Sequence, residues 1–91
     1  MTVKEYIAAH EEEFLQDLFA LLRIPSISSK SEHKPDMVRT AEHWRDYLLA
    51  SGMQRAEVYP TPSNPVVFAE RIIDPNAKTI LIYGHYDVMP V

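Results

Sequence analysis

Apolar and polar positions divide the chain into two stretches with a helical repeat, followed by three short stretches with an extended pattern. From about Val3 up to Pro25, apolar side chains recur every three or four residues, and acidic residues cover the rest, so we predict one amphipathic helix. Thr2 and Glu5 have the spacing of a capping box at its start. Pro25 ends the helix because it lacks an N–H donor. The apolar face consists of Ile7, Phe14, Leu15, Leu18, Leu21 and Leu22.

The second helical pattern runs from about Asp36 to Ser51. Asp36 is placed to cap its start, and Gly52 is placed to close it in the left-handed conformation. A helix with such a stripe packs on a sheet, and Trp44 is predicted to be a core anchor rather than a binding platform. The stripe consists of Met37, Ala41, Trp44 and Leu48, flanked by Val38, Arg45 and Leu49.

Two histidines, His33 and His43, are predicted to lie on the surface. The polar stretch from Ser26 to Pro35 is predicted to be a surface loop, and His33 lies within it with no partner at a set spacing. His43 lies off the apolar stripe of the second helix.

Three extended segments follow Gly52. Gln54 to Tyr59 alternates as an edge strand does, Val66 to Ile73 is the next strand, and Thr79 to Tyr83 is the last. The last segment is uncharged and apolar at consecutive positions, as in a strand covered by helices on both faces, so we expect it to be the most central. The short turn at residues 74–76 predicts that it runs antiparallel to the strand before it. The sequence therefore predicts an α/β fold in which two helices pack on a β-sheet.

Composition narrows the possible partners. A chain of 91 residues forms one small domain or part of one. A net charge of −4, with nine scattered Lys and Arg residues, argues against a nucleic-acid partner. Two glycines do not make a phosphate-binding loop. No apolar signal segment or membrane span is visible near the amino terminus, so we expect a cytoplasmic location.

A histidine and an aspartate follow the last predicted strand, at a turn. After Gly84, an extended backbone points the side chains of His85 and Asp87 the same way, and Tyr86 points away. When a carboxylate is hydrogen-bonded to one ring nitrogen of a histidine, the other ring nitrogen is available to bind a metal. Alternatively, the histidine acts as an oriented base. Since the chain has no cysteine, any metal is held by nitrogen and oxygen ligands. Without further context, a His-x-Asp pair is an ordinary polar pair or a turn in most chains.

The chain resembles the co-catalytic zinc peptidases that include carnosinase, the cytosolic non-specific dipeptidases, aminoacylase and succinyl-diaminopimelate desuccinylase. In that family a hydrophobic strand runs into Gly-His-x-Asp-Val-x-Pro, matched here by Gly84, His85, Asp87, Val88 and Pro90. Residues 22–28 resemble the family's segment after the first helix, and residues 64–70 resemble the strand before the signature. Tyr86 and the run before Gly84 look most like the dipeptidase branch, although Met89 stands where dipeptidases often have glutamine.

The resemblance implies a function and a role for each residue of the pair. His85 corresponds to a zinc ligand, and Asp87, which we place among the catalytic residues, corresponds to the carboxylate that orients that histidine. The implied reaction is hydrolysis of dipeptides or N-acyl amino acids by water activated on two zinc ions, with cobalt or manganese as alternative metals.

The resemblance also predicts how these residues fit into a larger protein. Family members are several times longer, and their bridging aspartate, general-base glutamate and remaining ligands lie beyond the position of Val91. We therefore expect residues 1–91 to be the amino-terminal portion of a three-layer catalytic domain with a mixed sheet. The rest of that domain and the lid or dimerisation domain are absent from these residues, and the full-length parent is expected to be a homodimer.

An alternative interpretation is a structural or interaction module without catalysis. A catalytic zinc needs about three protein ligands, and the chain offers one well-placed histidine. The isolated chain is then expected to be inactive and to bind zinc weakly. Its last strand is expected to expose an apolar edge that favours dimerisation or aggregation.

Overall fold

A computed structural model describes all residues from 1 to 91 and confirms the α/β class. No helix in it is long and apolar enough to cross a membrane. The elements are the helices α1 (Val3–Ala9), α2 (Glu11–Leu22) and α3 (Lys34–Ala50), a 3-10 turn (Ser31–His33), and the strands β1 (Arg55–Tyr59) and β2 (Val66–Glu70).

The first predicted helix is interrupted. Its capping box is present, with the Glu5 N–H donating to Thr2 Oγ1 at 3.1 Å and the Thr2 N–H donating to Glu5 Oε2 at 3.3 Å. His10 then leaves the helical conformation at φ −115° and ψ 14° and separates α1 from α2. Its Nδ1 lies 2.8 Å from the carbonyl oxygen of Tyr6, so the imidazole occupies the end of α1. The second part of the helix ends at Leu22, shortly before the proline that predicts its end.

The core lies where α3 packs on the hairpin of β1 and β2. The two strands are antiparallel, with Arg55 opposite Glu70 and Tyr59 opposite Val66. Gly52, at φ +108°, follows the end of α3 in the left-handed conformation that the sequence predicts. The buried residues are Ser26, Ile27, Met37, Thr40, Ala41 and Ala56. Of the predicted stripe, Trp44 and Leu48 are only half-buried.

The start of α3 differs from the prediction. His33, not Asp36, occupies the cap position, and Asp36 lies inside the first turn. The carboxylate of Asp36 is bonded to His33 Nδ1 at 2.8 Å and accepts a hydrogen bond from Arg39 at 2.9 Å. The prediction that His33 is an exposed loop residue without a partner was wrong, because the 3-10 turn brings its ring over the first turn of α3.

The predicted central strand, Thr79 to Tyr83, is not formed. Ile80, Leu81, Ile82 and Tyr83 are 84% to 90% exposed, and β1 and β2 make up the whole sheet. The preceding turn is present, with the Ala77 N–H donating to the Asp74 carbonyl at 3.0 Å, but the chain does not return along β2 as an antiparallel neighbour. An apolar run becomes a central strand only where neighbours supply ladder partners and layers cover both faces. Residues 1–91 supply neither to this segment.

The radius of gyration and the accessible surface also show that the chain is less compact than a domain of its length. The radius of gyration is 15.2 Å, compared with about 12 Å for a compact domain of this length. The accessible surface is 7470 Å², whereas a compact monomer of this mass exposes about 5,400 Å². Large apolar side chains of α1, α2 and residues 80–83 contribute to the excess. Exposed apolar surface of this extent is typical of faces that contact other protein surface.

Candidate metal centre

The end of the chain is anchored to the segment that follows α2. Ile27 and Val88 form an isolated parallel β-bridge, which lies outside the antiparallel sheet of β1 and β2. The Val88 N–H donates to the Ser26 carbonyl at 2.9 Å, and the Ser26 hydroxyl donates to the Tyr86 carbonyl at 3.0 Å. Ser26 is 1% exposed, so these bonds are made away from water. The predicted surface loop therefore starts as a buried extended segment.

His85 and Asp87 meet as the sequence predicts. Nδ1 of His85 lies 2.8 Å from Oδ1 of Asp87. Tyr86 turns the other way, and its hydroxyl donates to the carbonyl of Pro65 at 2.6 Å. Burial, and then the charge of Asp87, raise the pKa of the Tyr86 phenol. The contact between the pair is confirmed, and the metal-binding role of His85 stays a prediction.

Ser28 holds the other oxygen of the same carboxylate. Its hydroxyl donates to Asp87 Oδ2 at 2.5 Å. The bond from Ser28, followed by the bond from His85, holds the pKa of Asp87 below its usual range, so the carboxylate is ionised at neutral pH. An ionised carboxylate only accepts hydrogen bonds. A neutral His85 therefore carries its proton on Nδ1 and leaves Nε2 free of a proton.

The exposed imidazole fits one ligand position of a metal centre. The His85 side chain is 77% exposed, and its Nε2 has no hydrogen-bond partner in the chain. An unprotonated imidazole nitrogen backed by a carboxylate is a usual zinc donor. No group of three or more His, Cys, Asp or Glu side chains lies close enough to hold a metal ion. Since a catalytic zinc takes about three protein ligands, the His85 nitrogen alone would not complete such a site.

A cleft of about 160 Å³ adjoins the pair, between α2, α3 and the end of the chain. Trp44 lines it and makes a T-shaped contact with Tyr47 at a centroid distance of 5.9 Å. The residue that the sequence predicts as a core anchor therefore also shapes this cleft. His43 lines a separate, open groove with charged residues of α3, and it does not join His85. The other residues of the cleft are Leu18, Leu21, Leu22, Ser26, His85, Tyr86, Asp87 and Val88.

Sequence reasoning missed both serines that hold the end of the chain. Ser26 and Ser28 belong to the polar stretch that the pattern predicts as a surface loop. The alternation around Ile27 is the one local signal, because an extended segment places alternate side chains on one side. The Ser28 partner lies 59 positions away, so no local spacing reveals the contact.

Comparison with known proteins shows that the chain is similar to dipeptidases. No family model matches it. It is 32% identical over 90 residues to the Cys-Gly metallodipeptidase DUG1 of Candida albicans, with 86% of the chain and 19% of the relative covered. It is 30% identical to the Cys-Gly metallodipeptidase dug1 of Schizosaccharomyces pombe, with 94% and 20% covered. It is 29% identical to the Beta-Ala-His dipeptidase of Homo sapiens, with 97% and 20% covered.

A solved structure has the same fold. The dipeptidase Dug1p from Saccharomyces cerevisiae superposes with a TM-score of 0.86 at 28% identity, over 96% of this chain and 20% of that protein. The chain spans about a fifth of the length of the relatives that it matches. By sequence and by fold, these 91 residues are similar to one part of the metallodipeptidases.

Proposed function

We propose that residues 1–91 are the amino-terminal portion of the catalytic domain of a peptidase that hydrolyses dipeptides with the help of a metal. The observation that carries the proposal is the His85–Asp87 pair, because it presents an exposed imidazole nitrogen with a carboxylate behind it. The similarity to metallodipeptidases over most of the chain supports it. Further ligands and the general base come from other parts of the full-length protein.

The metal of the proposal is zinc, with two ions in the full-length protein. A chain without cysteine offers nitrogen and oxygen ligands, which zinc accepts and which cobalt and manganese also accept. A bound zinc pair supplies a water of lowered pKa and polarises the scissile carbonyl. His85 is the ligand from this chain, through Nε2. Asp87 keeps the ring proton on Nδ1 and raises the basicity of Nε2.

The substrate is proposed as a class, dipeptides or N-acyl amino acids. The relatives are named for two different dipeptides, Cys-Gly and Beta-Ala-His, so the similarity does not single out one peptide. The proposal includes a homodimeric parent, which the family resemblance implies, and a cytoplasmic location. The absence of cysteine suits a reducing compartment.

The test compares two proteins side by side, the 91-residue chain and the full-length product of the reading frame that contains it. Each is stripped of metal, loaded with zinc and assayed for bound zinc and for hydrolysis of Cys-Gly and Beta-Ala-His. We expect about two zinc ions and turnover only in the full-length protein, since catalytic zinc sites need more ligands than one.

Variants of the full-length protein test whether zinc binding and activity depend on the His85–Asp87 pair. Asp87→Ala is expected to weaken zinc binding or activity by about 10- to 100-fold, the usual cost of removing the partner of a ligating histidine. His43→Ala is the matched control, because this histidine lies in the other groove and should leave both quantities unchanged. A full-length protein that binds no zinc, or an Asp87→Ala variant with unchanged zinc content and turnover, rejects the proposal in favour of a structural module.

A further inference from the structure

We infer that Ser28 is a positioning residue for the metal ligand, acting on His85 through Asp87. This inference rests on the proposed function for its metal, but the geometry behind it belongs to the chain itself. Ser28 lies far from Asp87 in sequence and is bonded to it in the fold.

The carboxylate of Asp87 is held at both oxygens. Oδ2 accepts from the Ser28 hydroxyl at 2.5 Å, and Oδ1 is bonded to His85 Nδ1 at 2.8 Å. The terminal torsion of an aspartate has broad, shallow preferences, so one bond alone leaves the plane of the carboxylate free to turn. The second bond fixes that plane. It thereby fixes the direction from which His85 is approached and the nitrogen on which its proton rests.

The bond from Ser28 is separate from the contacts that anchor the backbone. Ser26, through its carbonyl and its hydroxyl, and Ile27, through its backbone, are connected to main-chain atoms of Tyr86 and Val88. The Ser28 hydroxyl instead reaches a side chain, and Asp87 is its hydrogen-bond partner. Removing this hydroxyl therefore leaves the anchoring bonds in place and releases only the carboxylate.

The experiment uses the full-length protein with Ser28→Ala, Ser28→Thr and Ser29→Ala. Threonine keeps the hydroxyl, and Ser29 is an exposed neighbour whose hydroxyl makes no hydrogen bond. The tautomer of His85 is read in the metal-free protein from ring ¹⁵N chemical shifts at about pH 9, where imidazoles are neutral. The resonance is assigned by its loss in His85→Gln. Zinc affinity is measured in parallel by competition with a chromophoric chelator.

The tautomer of His85 tests the inference, and the zinc affinity measures how strongly Ser28 affects metal binding. We expect a single Nδ1–H tautomer in the wild type, a mixture in Ser28→Ala, and restoration in Ser28→Thr. Zinc affinity is expected to fall by about 3- to 10-fold in Ser28→Ala, less than the loss on removing Asp87 itself. Ser29→Ala should match the wild type in both measurements.

A wild-type tautomer in Ser28→Ala overturns the inference, whatever the affinity. If Ser28→Ala does not fold, Ser28→Cys, which keeps the volume and is a weak donor, is judged by the same criterion. A wild-type protein that binds no zinc rejects the proposed function and leaves the tautomer result intact, because that result is read without metal. The two failures are therefore distinguishable.

Discussion

Residues 80–83 and residues 86–88 belong to the same final stretch and are held in opposite ways. The first group is strongly apolar, makes no ladder and is almost fully exposed. The second group makes four hydrogen bonds with Ser26, Ser28 and Pro65, a fifth with His85, and one β-bridge. The difference shows that the candidate metal centre is not positioned by the strand-like run that leads into it. It is positioned by residues about 60 places earlier in the sequence.

The two groups differ because apolar and polar groups are stabilised in different ways. Apolar side chains are stabilised by being covered over a large area, and 91 residues do not cover residues 80–83. Backbone and carboxylate groups are satisfied by single partners, and the serine segment provides them. The polar site is therefore bonded to the rest of the fold, whereas the neighbouring apolar run is exposed and unpaired.

The largest effect is expected at Met37, in the buried core. Met37 is 3% exposed and Met89 is 85% exposed, so the two methionines form a matched pair. Met37→Ala should lower the free energy of unfolding by about 2–5 kcal/mol, because it leaves a cavity at a buried position of α3. Met89→Ala should change it by no more than about 0.5 kcal/mol. Urea unfolding followed by circular dichroism measures both, and equal losses would contradict the packing of α3.

The anchoring of residues 86–88 is tested at Ser26. Ser26→Ala removes the donor to the Tyr86 carbonyl at a buried position, which should cost about 1–3 kcal/mol of unfolding free energy. The Val88 amide should also exchange faster with solvent deuterium. Ser63→Ala, at an exposed hydroxyl without a hydrogen bond, is the control. A Val88 amide that is unprotected in the wild type would refute the anchoring.

A smaller effect, with a pH signature, is expected between α2 and α3. The Tyr47 hydroxyl donates to Asp17 at 3.0 Å, and burial, followed by this bond, raises the pKa of the phenol. Folding therefore favours the neutral phenol. Tyr47→Phe should lower the free energy of unfolding by about 1 kcal/mol at neutral pH.

The sign of the pH dependence follows from the raised pKa. The advantage of Tyr47 over phenylalanine should be complete below the unfolded pKa of about 10 and should be lost as pH rises through the higher folded pKa. Urea unfolding of both proteins from pH 7 to pH 11 measures it. Tyr83→Phe, at an exposed phenol, is the control at neutral pH and should leave the free energy of unfolding unchanged. An advantage of Tyr47 that grows above pH 10 would contradict the bond.

The smallest effect is expected in residues 80–83. Leu81→Ser should change the free energy of unfolding by no more than about 0.5 kcal/mol, because the side chain already contacts water. The amides of these residues should exchange at unprotected rates in hydrogen-exchange mass spectrometry. A loss above about 1 kcal/mol, or protected amides, would mean that this segment is covered and paired.

The features that the sequence predicted correctly have local signals. The capping box of Thr2 and Glu5, the left-handed Gly52 and the contact of His85 with Asp87 each depend on residues at most three positions apart or on one backbone conformation. The α/β class followed from periodicity in the same way. Such signals are visible in the sequence because the interacting groups are neighbours along the chain.

The features that the sequence did not predict depend on partners far along the chain or on the absence of a partner. The apolar run from Thr79 to Tyr83 has the composition of a central strand, but composition does not supply a neighbouring strand. Ser28 is one of four serines in a polar stretch, and only the fold distinguishes it from Ser29. His33 was missed because a 3-10 turn, which leaves no strong pattern, brings it to Asp36.

The contact between the serine segment and the end of the chain also has a kinetic consequence. Ser28 and Asp87 close a loop of about 60 residues, which contains all of α3 and both strands. Closing a loop of that length costs entropy that only an already folded interior offsets, so this contact should form after the hairpin and α3 have packed. The oriented imidazole is therefore expected to form late in folding, and a metal that bound it would select chains in which the rest has already folded.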